Sequence, residues 1–196
     1  LINEIFHNAG VIATTLIGAS HKSIDDLLYD VCIIDEVSQA LELECWNVIL
    51  KSKRVVMAGD HLQLSPTVKS AKANELGLGT TLLDLIANKI NDVALLTIQY
   101  RMHDKILGFS NTRYYEGKLL SDISVADRFL HNDRQPIVFI DTAGAGFEET
   151  QNIESLSYRN EGEYFILREH IIKSMENLLG ASIGIISPYK EQVRFI

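Results

Sequence analysis

The sequence predicts an α/β chain whose strands run parallel in doubly wound sheets, and three observations carry that reading. Five short apolar runs recur: GVIATT at 10–15, VCIID at 31–35, RVVMAGD at 54–60, IVFIDT at 137–142 and ASIGIIS at 181–187. Each is apolar on both faces and ends in Gly, Asp, Ser or Thr, as buried parallel strands do. Helix-like segments at 38–50, 80–90, 103–115 and 160–178 alternate with them, which favours strands linked by helical crossovers.

Taken in order, GVIATT carries Thr14 and Thr15 at its end, VCIID runs into Asp35 and Glu36, and RVVMAGD stops at Gly59 and Asp60. The helix predicted at 80–90 leads into NDVALL, and a strand-like LLTIQY follows at 95–100; a domain boundary is placed there, dividing the chain into 1–94 and 95–196. IVFIDT and ASIGIIS then end at Asp141 and Ser187 regions of a second sheet, separated by the polar stretch 147–163, which reads as a surface loop entering a helix near Asn160. Ligands of open α/β sheets bind outside the carboxyl ends of the strands, so these terminal residues are where chemistry is expected.

The 196 residues are 46% hydrophobic and 22% charged, enough for one large or two small cores. The formal charge of −8 argues against coating nucleic acid by bulk attraction, while leaving room for a narrow basic track. Cys32 and Cys45 lie in a strand and a helix pattern without a CxxC or Cys/His cluster, so neither zinc nor a disulfide framework is indicated and a reducing cytoplasmic or nuclear compartment fits. No run approaches the roughly 18 apolar residues of a membrane span. The chain opens at Leu1 without a signal segment and reads as an internal piece of a longer protein.

An acid at the end of a buried strand can hold Mg²⁺ through water, and a second carboxylate beside it can orient and deprotonate an attacking water. Asp35 and Glu36 offer that pair; taken alone, Asp35 serves equally well as the cap of the next helix, with Glu36 favouring its positive end. GDHLQLSP, 59–66, places Gln63 in a turn closed by Pro66, where an amide can report on a phosphate; alone it is also an ordinary βα loop. In QYRMH, 99–103, Tyr100 can stack on a base and Arg101 can neutralise a transferred phosphoryl group, or the two are a core-edge tyrosine and a surface ion pair.

Together, ATTLIGA (13–19), IIDEVSQALE (33–42), MAGDHLQLSP (57–66), QYRMH (99–103) and ISPYKEQV (186–193) resemble the superfamily 1B helicases, in the UPF, senataxin and immunoglobulin-mu-binding branch. The resemblance implies a P-loop NTPase (RecA-like) fold: parallel sheets flanked by helices, with 1–94 the back half of one RecA-like domain and 95–196 the front of a second. It implies ATP and Mg²⁺ as ligands, with Asp35 at the metal, Glu36 activating water, Gln63 sensing the γ-phosphate, Asp60 supporting that network, Tyr100 near the adenine and Arg101 reaching the γ-phosphate. Thr14, Thr15, Pro188 and Tyr189 match segments that face single-stranded DNA or RNA. The implied activity is ATP-driven translocation and unwinding, 5′ to 3′. A nucleic-acid-stimulated ATPase that remodels complexes, a scaffold that has lost hydrolysis, and a motor fused to a nuclease are the alternatives.

Two departures stand out: Ser65 replaces a usual proline and Val37 a usual small residue. No GxxxxGK[ST] loop occurs, because Gly117-Lys118 is followed by Leu119 and has Thr112 where the first glycine belongs. Residues 1–196 alone are therefore expected to hydrolyse little or no ATP.

Overall fold

The structure, a computed structural model, describes residues 2–87, 89–90, 92–129, 135–175 and 182–196. The chain divides into two compact units, Leu1–Leu95 and Leu96–Ile196. Both are mixed α/β.

In the first unit, α1 (Ile2–Asn8) precedes an extended segment and a 3₁₀ turn at Gly18–Ser20. Strands β1 (Tyr29–Ile34) and β2 (Ser52–Met57) then pair in parallel, from Tyr29 opposite Ser52 to Ile34 opposite Met57. Parallel neighbours need a crossover, and α2 (Glu42–Ile49) supplies it. Its first turn carries Glu42 and Glu44, which suit the positive helix end, and the Glu44 carboxylate accepts the Leu41 N–H at 3.3 Å. Cys45 is fully buried and packs with Ile34, Val37, Ala40 and Leu82, flanked by Val48, Ile49 and Val55. Burial pushes both thiols up, the weaker nucleophilic state.

After α3 (Ala71–Glu75), helix α4 (Leu82–Ile86) closes the core from the same side. Thr81 starts it with a reciprocal cap: its Oγ1 accepts the Asp84 N–H at 3.2 Å, and Asp84 Oδ2 accepts the Thr81 N–H at 3.0 Å. Among the described residues, the opposite face of the sheet is only partly covered within this unit. Val31, Ile33 and Val56 are 47%, 72% and 53% exposed, so strands predicted as buried on both faces are buried on one.

In the second unit, β3 (Ile98–Gln99) and β4 (Leu120–Ser121) form a short parallel pair connected by α5 (Asp104–Tyr114). His103 caps α5, its Nδ1 accepting the Lys105 N–H at 2.9 Å. Asn111 turns the chain out of the helix by bonding both the N–H and the C=O of Leu119, at 2.9 and 2.8 Å. After α6 (Ile123–Ala126), strands β5 (Glu149–Gln151) and β6 (Tyr158–Asn160) form an antiparallel hairpin, followed by α7 (Glu161–Met175) and α8 (Lys190–Phe195).

Three of the five expected strands are therefore corrected. Residues 10–15, 137–142 and 182–187 join no ladder among the described residues. An apolar run encodes burial, but a strand exists only where a second backbone lies alongside to satisfy its N–H and C=O groups. Phe139 and Ile186 are 88% and 97% exposed, which shows those runs without cover in this unit. The stretch 147–163, expected to be a loop, holds the β5–β6 hairpin. Asn91, residues 176–178 of the fourth predicted helix, and Ala181 lie outside the described residues.

Candidate functional site

The parallel register of β1 and β2 sends both strands out at the same edge, and the two acidic motifs leave from there. Ala58 N–H donates to Ile34 O at 2.8 Å and Val37 N–H to Ala58 O at 3.0 Å, which continues the pairing past the strands. Gly59 lies against this turn: a Cβ there would come within 2.9 Å of Val37 Cγ1 and 3.0 Å of Ser38 N. Only glycine lets the two loops meet so closely. Ser38, 2% exposed, locks them together by accepting the Asp60 N–H on its Oγ at 3.2 Å.

Glu36 stands at the apex with φ 54° and ψ 37°, a left-handed conformation that is uncommon for a side chain with a Cβ. Its carboxylate accepts from Gln39 Nε2 at 3.0 Å, while Asp35 Oδ1 accepts the Glu36 N–H at 3.1 Å. The next helix begins at Glu42 with Leu41 before it, so Asp35 does not cap it. Asp60 organises the neighbouring turn: its Oδ1 accepts the Leu62 N–H at 3.0 Å and its Oδ2 accepts Gln63 Nε2 at 2.8 Å. Asp35, Glu36 and Gln63 are all exposed, available to a ligand at the sheet edge.

Among the described residues, no three His, Cys, Asp or Glu side chains converge as a metal cage. Magnesium needs no such cage, since it is commonly held by one or two carboxylates together with phosphate oxygens and water. An exposed aspartate at a strand end suits that mode.

Beside β1 a cavity of about 420 Å³ is lined by Thr14, Thr15, Ile33 and Asp35. The structure thus brings Thr14 and Thr15 beside the end of β1, from which Asp35 follows. Thr15 also fixes its own turn, Oγ1 accepting the Gly18 N–H at 3.0 Å.

In the second unit Gln99 builds the turn of QYRMH. Its Oε1 accepts the N–H groups of Arg101 and Met102 at 2.8 and 2.9 Å, and its Nε2 donates to Met102 O and Ser121 Oγ, both at 2.7 Å. Tyr100 is 65% exposed, no core-edge residue, and among the described residues the exposed Arg101 guanidinium makes no ion pair or hydrogen bond. Pro188 and Tyr189 are exposed at the start of α8, with Tyr189 edge-on to Tyr158 at 5.7 Å. Just beyond, burial pushes the Glu191 carboxyl up, and hydrogen bonds from Ser155, Arg194 and Asn152 outweigh it, holding it below the usual range.

Two family models, each described as an AAA domain, match residues 1–71 and 78–196. The chain is 36% identical over 98% of its length to DNA polymerase alpha-associated DNA helicase A of Saccharomyces cerevisiae, of which the match covers 33%. It is also 36% identical, over 94% of its length, to DNA-binding protein SMUBP-2 of Mus musculus, covering 20% of it. This chain belongs to the superfamily 1 helicases. An ATP-dependent helicase of Methanocaldococcus jannaschii is 34% identical across the whole chain, with 31% of that relative covered. The helicase chain described here therefore spans a fifth to a third of the length of these relatives, and its fold is that of the P-loop NTPases.

The candidate residues named from the sequence omitted the side chains that hold the site. Ser38, Gln39 and Gln99 carry no charge; the bonds of Ser38 and Gln99 join segments that sequence pattern does not pair, while Gln39 holds Glu36 three residues away. All three lie inside quoted motifs, Ser38 and Gln39 in IIDEVSQALE and Gln99 in QYRMH, but none was singled out as a site residue.

Proposed function

We propose that these residues form the interior of an ATP-dependent DNA or RNA helicase, which couples ATP hydrolysis to 5′ to 3′ movement on single-stranded nucleic acid and to unwinding. Residues 1–94 and 95–196 would be parts of two RecA-like domains, each carrying residues of the ATP site. The observation that carries this reading is the junction of β1 and β2, where Ser38 and Gly59 tie the Asp35–Glu36 turn to the Asp60–Gln63 turn.

Glu36 takes the proton from the attacking water, and Gln63 hydrogen-bonds the γ-phosphate without adding charge. Magnesium, when bound, supplies charge neutralisation at the phosphates, and Asp35 is the residue that would hold it. Asp60 orients Gln63 through the bond already made at 2.8 Å. Tyr100 packs against the adenine, while Arg101 meets the charge that develops on the transferred group. Loss of the γ-phosphate ends the closed state, and Thr14, Thr15, Pro188 and Tyr189 hold and release the strand in turn. The protein would act in the cytoplasm or, in a eukaryotic cell, the nucleus. The triphosphate cradle is supplied by sequence other than residues 1–196, which contain no GxxxxGK[ST].

Glu36→Gln in the full-length protein tests the assignment. The amide keeps the shape but accepts no proton, so ATP binding should persist while turnover falls by about 10²-fold or more. Turnover near the wild-type rate would remove Glu36 from the role of base. Strand displacement measured beside ATPase separates unwinding from remodelling: hydrolysis without displacement would favour the latter.

A further inference from the structure

We propose that Glu191 and Gln192 are positioning residues, which clamp the Pro188–Tyr189 segment onto the β5–β6 hairpin and thereby set the grip on single-stranded nucleic acid. The proposal rests on Tyr189 being a strand contact, as proposed above.

The backbone entering this segment is not anchored from its N-terminal side, since residues 182–186 are exposed and join no ladder among the described residues. Helix α8, which follows, has six residues. A helix that short does not hold itself in water. The position of Tyr189 is therefore set by what α8 bonds to.

Those bonds are specific and long in sequence range. Gln192 brackets one residue of the hairpin: its Oε1 accepts the Asn160 N–H at 2.6 Å and its Nε2 donates to Asn160 O at 3.2 Å. Asn160 is 7% exposed, and its own Oδ1 accepts the Glu163 N–H at 3.0 Å, so the clamp closes on the start of α7. The Glu191 side chain, 11% exposed, accepts from Asn152 Nδ2 and Ser155 Oγ, each at 3.1 Å, at the hairpin turn. Glu191 N–H donates to Ser157 Oγ at 3.2 Å. Bonds to a carboxylate are roughly twice as strong as neutral ones. Tyr158, on the same hairpin, then meets the Tyr189 ring edge-on.

The hairpin contributes little apolar burial of its own; Glu149, Thr150 and Gln151 are all exposed. It serves instead as a rigid wall beside a cavity of about 340 Å³ lined by Tyr158, Arg159, Pro188 and Tyr189. Removing the clamp should leave ATP chemistry in place, because its hydrogen bonds run to Asn152, Ser155, Ser157 and Asn160, none of them proposed for that chemistry. It should weaken the hold on the strand.

The experiment uses the full-length protein, with ATPase measured as oligo(dT) is titrated. Gln192→Ala is expected to raise the half-stimulating oligo(dT) concentration about tenfold, with the saturated rate within about twofold of wild type. Glu191→Ala should do the same, and Glu191→Gln, whose amide oxygen can still accept from Asn152 while its Nε2 donates to the Ser155 hydroxyl, should recover part of the affinity. Tyr189→Ala should raise the half-stimulating concentration too, and adding Gln192→Ala to it should produce little further rise, because both act at one contact. A normal titration for Gln192→Ala beside a weakened Tyr189→Ala overturns the clamp and leaves the strand contact standing. A normal titration for Tyr189→Ala overturns the strand contact itself. If Gln192→Ala does not fold, the Glu191→Ala and Glu191→Gln pair decides: equal affinity for the two, or a fall in saturated rate and melting temperature without an affinity change, overturns the proposal.

Discussion

In the unit Leu1–Leu95 the candidate residues ride on backbone: six-residue strands in parallel register deliver Asp35 and Asp60 to one edge, above an apolar core. In Leu96–Ile196 the paired strands are two or three residues long, and side-chain amides and carboxylates place Tyr100, Arg101 and Tyr189. A sheet and its core are cooperative, so a functional side chain at the edge can be changed without dismantling its support. A turn held by one glutamine has no such reserve. Function and local order should separate in the first unit and fall together in the second.

The largest expected effect tests the first half of that statement. Glu36 occupies the left-handed region, which costs a residue with a Cβ about 1–2 kcal/mol. Glu36→Gly relieves that strain, at an entropic disadvantage of about 0.4–1 kcal/mol through the unfolded chain. Thermal unfolding of the full-length variant should therefore show stability equal to or above wild type, with ATP turnover lost. A clear drop in melting temperature would mean that the Glu36 carboxylate supports the fold through Gln39 rather than being retained against strain for its chemistry.

Gln99→Ala is the corresponding test in the second unit. The side chain makes four hydrogen bonds, three of them to the backbone of Arg101 and Met102. At about 0.5–1.5 kcal/mol each, their loss should destabilise the unit by about 2 kcal/mol or more. Displacement of Arg101 by an ångström or so should lower saturated ATPase by about 10²-fold. Gln99→Glu, which still accepts from both N–H groups but donates nothing, should fall between. Full activity with reduced stability would show that Arg101 finds its position from elsewhere.

The same contrast explains what the sequence disclosed. VCIID and RVVMAGD are legible as strands because burial leaves an apolar pattern, and both pair as expected. Asp35, Glu36, Asp60 and Gln63 could be named as candidates because strand ends are where such sheets bind ligands, and β1 and β2 do bring their two turns to one edge. IVFIDT has the same pattern as VCIID yet joins no ladder among the described residues, since pattern records the need for cover and not the identity of the partner. Gln192 stands inside the quoted ISPYKEQV, yet its bonding was not legible there. A glutamine thirty-two residues from Asn160 looks like any polar helix residue until the fold sets its amide across that residue.

The smallest expected effect checks that backbone and core, rather than surface charge, hold the first unit. Lys53 Nζ on β2 meets Asp30 Oδ1 on β1 at 2.7 Å, with the side chains 78% and 85% exposed. The hydrogen bond from Lys53, then its charge, lowers the Asp30 pKa from its usual 3.8, and Asp30 in the same order raises that of Lys53 from 10.5. For the depressed aspartate, the stabilising contribution is full above the unfolded value and disappears as pH falls through the lower folded one. For the raised lysine it is full below the unfolded value and disappears as pH rises through the higher folded one. The pair is thus fully formed across the neutral range, where solvent screening leaves it little energy. Melting temperatures of wild type and Lys53→Ala should run nearly together at neutral pH, draw closer at the acid and alkaline limits, and merge in about 1 M salt. A large separation at neutral pH that salt abolishes would mean that β1 and β2 are aligned by this charge pair, and that the sheet does not by itself bring Glu36 to Gln63.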